Sequence, residues 1–228
     1  MRIPSFLAIA SAALLLPMTK AGAAAFVPPW GGDPLSTTQI HTFTTDSLTP
    51  VPETLANAYG TPATEIVVVE PSGTGWQDPA LGGLSSTRVE GEGAWDVGVG
   101  GSITITIPIA PAGDFTPKFL DIGIDVVFLS SLASGPSLDL VEDTPLLLTG
   151  QDSLVEIDGI RFWSRTVWEA SFENFTSDTL TVVLSAPDNN ISVIDRVAIY
   201  TVIPEPGAAA LALLGGLWLL AGRRRGGC

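Results

Sequence analysis

Residues 102–109 read Ser-Ile-Thr-Ile-Thr-Ile-Pro-Ile. Ile103, Ile105, Ile107 and Ile109 fall at every second position, so in an extended chain all four project from one face. Ser102, Thr104, Thr106 and Pro108 take the other face. On a helix the same isoleucines would spread around the circumference and leave no coherent face to bury. Their branched side chains also favour a pleated strand. A strand with one apolar face needs a second layer to cover it, and that need sets the fold class.

The pattern recurs. Across residues 120–128, Leu120, Ile122, Ile124, Val126 and Phe128 face inward, while Asp121, Gly123 and Asp125 read as outward. Val127 and Leu129 indicate that the far end is buried on both sides. Residues 179–185 place Leu180, Val182 and Leu184 on one face, and a long final run, 191–203, keeps Val193, Val197, Ile199 and Ile203 in phase. Residues 40–45, 65–70, 154–161 and 167–175 read as further strands. Turn chemistry separates them at Pro71-Ser72-Gly73-Thr74-Gly75, Ala110-Pro111-Ala112-Gly113-Asp114, Ser134-Gly135-Pro136 and Pro187-Asp188-Asn189-Asn190. Residues 54–59 read as one short helical turn. Residues 26–38 read as an extended lead-in that Pro28-Pro29 keeps from being helical. The expected fold is all-β: a β-sandwich, first a jelly roll and second an immunoglobulin-like sandwich. A domain spanning 26–203 is long enough to bury roughly two-thirds of its unfolded surface.

Charge divides the 228-residue chain, whose formal net charge is −14, into three parts. Residues 26–203 hold 23 acidic and 5 basic side chains, a net of −18. The other basic residues are Arg2 and Lys20 at one end and Arg223, Arg224 and Arg225 at the other. Such acidity argues against nucleic acid as a partner, because phosphate neutralisation needs Lys and Arg. At the N-terminus, Arg2 precedes an apolar run, 6–16, which is too short to cross a bilayer. Small residues follow, in Ala21-Gly22-Ala23 and Ala23-Ala24-Ala25. This order is that of a secretory signal peptide over 1–25, with cleavage expected after Ala23 or Ala25. A buried N-terminal helix is the plainer alternative. An exported chain with one Cys also makes no internal disulfide.

The C-terminal segment, 204–228, has its own order. Pro204-Glu205-Pro206 precedes the uncharged stretch 207–222, which is followed by Arg223-Arg224-Arg225. As a transmembrane helix, 207–222 would reach about 24 Å at ~1.5 Å per residue. The arginines would hold its end on the cytoplasmic side and the acidic domain on the outer side. This tail resembles the PEP-CTERM sorting domain of Gram-negative bacteria. The resemblance implies recognition by exosortase, a membrane-embedded cysteine protease-transpeptidase, with processing near the triplet. It further implies an inner-membrane intermediate, a cell-surface or extracellular product and a setting of exopolysaccharide and biofilm matrix. An uncut C-terminal anchor is the alternative. Gly226-Gly227-Cys228 departs from the usual pattern, and a terminal Cys is not a prenylation box. The middle resembles, in layout alone, the galactose-binding-like jelly rolls of bacterial surface proteins. That layout is a Gly-rich segment with Trp76 and Trp95, then Ile-Thr-Ile-Thr-Ile, then a final strand near the end.

Chemistry-bearing residues are few. His41 is the one imidazole, lies in a strand-like run and has no Gly-x-Ser-x-Gly elbow to serve. One His and one Cys exclude a multi-ligand Cys/His metal site. Glu90-Gly91-Glu92 and Glu142-Asp143 are closely spaced carboxylate pairs, and no phosphate-binding glycine loop occurs. No cofactor is expected. Calcium is the one conceivable ion, with Asp188-Asn189-Asn190 and Glu142-Asp143 as oxygen-rich candidates that fall short of a complete loop. Asn174-Phe175-Thr176 and Asn190-Ile191-Ser192 match the glycosylation sequon, read as chance in a bacterial chain. Among Trp30, Trp76, Trp95, Trp163 and Trp168, Trp76 follows Gly73-Thr74-Gly75 and is the candidate sugar platform; core filling is the plainer role. The expected function is that of a non-catalytic exported surface or matrix protein, sorted by exosortase. The alternative is a carbohydrate-binding module for exopolysaccharide, and a glycan-active enzyme ranks third.

Overall fold

A computed structural model describes residues 26–31, 36–78, 93–130, 133, 135–140, 147–157 and 160–203. The expected leader (1–25), the expected sorting motif (Pro204, Glu205, Pro206, Arg223, Arg224, Arg225), the stretch 207–222, Cys228, Glu90, Glu92, Glu142 and Asp143 lie outside these residues. The described residues form twelve strands and no helix. They are β1 (Ser36–His41), β2 (Thr54–Ala56), β3 (Ala63–Val67), β4 (Gly75–Gln77), β5 (Ala94–Asp96) and β6 (Ser102–Pro108). Then come β7 (Lys118–Leu129), β8 (Ser137–Leu140), β9 (Leu147–Ile157), β10 (Ile160–Phe175), β11 (Thr179–Ser185) and β12 (Val193–Val202).

Two antiparallel sheets make a β-sandwich. The larger runs β2-β1-β12-β7-β10-β9, with β5 also paired to β12 and β4 to β5; the smaller runs β3-β6-β11-β8. Alternation explains the interior between them. Ile103, Ile105 and Ile107 of β6 and Leu180, Val182 and Leu184 of β11 are fully buried from one side. Leu120, Ile122, Ile124 and Val126 of β7, with Val197 and Ile199 of β12, meet them from the other in one continuous apolar cluster. A second cluster joins Ala94, Val127, Leu129, Ala133, Trp163 and Val193, with Leu154 and Ile191 packed on it.

Several boundaries differ from the sequence expectation. The expected helical turn at 54–59 is instead strand β2 at 54–56, where Leu55 pairs with Gln39 of β1. A three-residue segment has too little propensity of its own to resist an available sheet edge. The lead-in read over 26–38 already includes β1, which begins at Ser36 and ends at His41 rather than 45. It ends there because Phe43 turns into the left-handed region, φ 55°. Glu53 then takes the N–H groups of Thr42 (2.7 Å) and Thr44 (3.0 Å). The run at 65–70 is displaced to 63–67. The run at 154–161 is not one strand, since β9 ends at Ile157 and β10 starts at Ile160 to pair back on it. Strands β4, β5 and β8 were not foreseen.

Candidate functional site

Asp125 faces outward, as the alternation reads, yet its side chain is fully buried on that outer face of the larger sheet. The register explains its neighbours. On β7, Asp125 lies between Ala198 of β12 and Val167 of β10, while Arg196 and Arg165 both flank Val127 and Tyr200 flanks Gly123. Diagonal positions two residues along are within reach of long side chains. Arg196 Nη2 lies 3.0 Å from Asp125 Oδ2. The backbone N–H of Phe26 donates to the same oxygen at 2.8 Å. Asp125 Oδ1 and the Tyr200 hydroxyl, both buried, have no hydrogen-bond partner among the described residues.

Segment 26–31 crosses this face. A Cβ built on Gly123 would lie 3.2 Å from Pro28 Cγ and 3.7 Å from the Phe26 ring, so glycine here leaves room for the crossing chain. Pro28 is buried, and Gly31 N–H closes a turn on its carbonyl at 2.9 Å. Beside the crossing, Phe26, Thr149, Gly150, Arg165, Val167 and Glu169 line a cavity of about 190 Å³. Burial pushes the Asp125 carboxyl above its ordinary range, against the opposing pull of Arg196, the Phe26 N–H and Arg165. Burial, and then the Asp125 charge, push the Tyr200 phenol up. The cluster is built to hold a charge and seat a chain segment. Asp125, Arg196, Arg165 and Tyr200 were not singled out from the sequence. The legible clue was the two charged residues Asp195 and Arg196 inside the apolar run 191–203, because a charge in such a strand requires a partner.

Trp76 lies on strand β4, not in a loop, opposite Trp95 of β5. It is half-buried against the main core, and its Nε1–H donates to the Phe43 carbonyl at 2.8 Å. Gly93 lies against the indole, since a Cβ there would fall 2.8 Å from Cε2. The neighbouring turn hangs on Asp96, whose Oδ2 accepts from the Thr74 hydroxyl (2.7 Å) and N–H (3.1 Å). Trp95 and Trp163 are fully buried, and Trp168 packs on the core.

His41 faces the sandwich interior opposite Val197, fully buried and stacked near Phe43. Burial pushes its imidazole down to about 4, with the Glu53 charge pulling the other way. Burial also raises Glu53, but hydrogen bonds from Thr44 and Thr42 outweigh it and hold that carboxyl below its ordinary value. In the turn at 188–190, Asn190 Oδ1 is occupied by the Ile191 N–H at 2.9 Å. Among the described residues no three metal-ligating side chains gather. A cavity of about 400 Å³ at the end of β10 is lined, among the described residues, by residues 171–177, which include Glu173. No family model, curated protein or solved structure matches this chain.

Proposed function

We propose that this chain is a non-catalytic surface or matrix protein, exported from a Gram-negative cell and sorted by exosortase through its tail. The observation that carries the reading is the order Pro204-Glu205-Pro206, uncharged 207–222, Arg223-Arg224-Arg225, with the leader-like 1–25 at the other end. Both ends give the same topology, with the acidic domain outside. Within this reading the sandwich is a jelly roll. Nested antiparallel pairs support that type: β1 with β12, β6 with β11, and β7 with β10. Strand β9 departs from full nesting by pairing β10 rather than β8.

Mass spectrometry of both termini, on protein from the native host, tests the proposal. The expected product starts after Ala23 or Ala25 and ends near 204–206. A C-terminus intact through Cys228 would mean an uncut anchor and would remove exosortase from the account.

A second reading is exopolysaccharide binding at Trp76. It is favoured by an indole that is half-buried and held at Nε1, since a fixed aromatic ring loses little freedom on stacking a sugar. Glycan-array screening of the exported protein tests it; binding that survives Trp76→Phe but is lost in Trp76→Ala is the expected result, and no binding at all removes the idea.

A further inference from the structure

We propose that the leader is hydrolysed between Ala25 and Phe26, and that the α-ammonium group released on Phe26 pairs with the buried carboxylate of Asp125. This inference rests on the export reading. Its first support is position: the Phe26 nitrogen lies 2.8 Å from Asp125 Oδ2, and that side chain is fully buried. Its second is donor count. An amide nitrogen brings one N–H, already used on Oδ2, whereas an ammonium brings three. Asp125 Oδ1 and the Tyr200 hydroxyl, which shares this sheet face, are buried and have no hydrogen-bond partner among the described residues. As an amide this nitrogen has spent its one hydrogen on Oδ2; as an ammonium it would bring two more donors from the same atom to the carboxylate.

Charge and packing agree with this. Arg196 and Arg165 act on Asp125, and Glu169 lines the same small cavity as Phe26 and Arg165. The further cation is set against the buried Asp125 carboxylate in a domain of net charge −18. The Phe26 ring and Pro28 sit over Gly123, so the residues following the nitrogen are already seated.

The same geometry separates the two candidate cuts. Cleavage after Ala23 would leave Ala24 and Ala25 ahead of Phe26 and carry the charge roughly 7 Å of chain further on. Cleavage after Ala25 puts it on the atom that already contacts Asp125. In the step, the Ala25–Phe26 C–N bond breaks. Water gives its oxygen to the Ala25 carbonyl, which becomes a carboxylate, and its protons to the Phe26 nitrogen, which departs as the ammonium. Hydrolysis by an export-associated peptidase precedes folding, because in the folded domain this nitrogen lies against a buried side chain.

The test uses the full chain exported by a Gram-negative host. Mass spectrometry first reads the N-terminus, and an amine-acylating reagent is then applied to folded and denatured protein. The expected N-terminus is Phe26, with its α-amine acylated roughly tenfold or more slowly in the folded state, as a group exposed by opening would be. Asp125→Asn should restore its reactivity; the wild-type comparison stands alone if that variant does not fold. An N-terminus at Ala24 overturns the proposal and leaves export standing. Retention of Met1 overturns both. A Phe26 α-amine that reacts equally in both states overturns the pairing.

Discussion

Strands β6 and β7 both alternate in sequence, β7 as far as Val126, yet they occupy different surroundings. On β6 the isoleucines are buried and Ser102, Thr104, Thr106 and Pro108 are half-exposed. On β7 the inward residues are buried, and so are Gly123, Asp125, Val127 and Leu129 on the other face. Among the described residues the outer side of β6 is only half-covered, while that of β7 from Gly123 to Leu129 is covered, because segment 26–31 and the Trp163 cluster lie there. Alternation therefore locates a strand and its interior face, but it does not say that the second face is wet. Aspartate on a covered face then requires a cation, and Arg196 supplies it.

The contrast is broken most sharply at Asp125. Asp125→Ala leaves Arg196 buried without this partner and should cost roughly 3–5 kcal/mol in equilibrium denaturation. Thr104→Ala at the matching polar face of β6 should stay within about 0.5 kcal/mol. Equal losses from the two would end the comparison. On the interior faces the strands should behave alike: Ile105→Ala and Ile124→Ala should each lose roughly 2–5 kcal/mol, read as a lowered urea midpoint at unchanged slope.

A third expectation extends the comparison to β1, whose inward positions Gln39 and His41 are polar and buried. Because the His41 imidazole is pushed down to about 4, the unfolded chain takes up a proton before the folded one does. Stability is then fully present above about pH 6.5 and is lost as the pH falls towards about 4, by roughly 3 kcal/mol. Denaturation curves at stepped pH should show that loss in the wild type and lack it in His41→Leu. The smallest test is Gly123→Ala. Its methyl would meet Pro28 Cγ at 3.2 Å and should cost roughly 1–3 kcal/mol, measured as a lowered Tm. No shift at all would mean that segment 26–31 does not hold that face.

The sandwich was legible because it rests on period-two burial, and residues 102–109, 120–128 and 179–185 carry that pattern cleanly. Strands β4 and β5 were hidden because three residues cannot show a period, and β8 because four barely can. The C-terminal end of β1 was misplaced because a contact from outside the strand sets it: Glu53 caps Thr42 and Thr44, and Phe43 takes a backbone region rare for its residue type. Trp76 was visible as a residue but not as a strand member whose ring nitrogen is held by Phe43. Asp125 and Arg196 are 71 positions apart, and no local pattern connects them. Only the register of β7 against β12 brings them to one place.

That register also has a meaning in time. Strand β12 fills the slot between β1 and β7, and Ser36 pairs with Val202. A chain emerging from its N-terminus holds β1 and β7 ready long before the strand that joins them exists. The larger sheet cannot close until nearly the whole domain has been delivered, and closing so long a loop is slow. Until then β1 and β7 present unpaired edges, so the final ten residues of the sandwich convert an open, association-prone chain into a closed one.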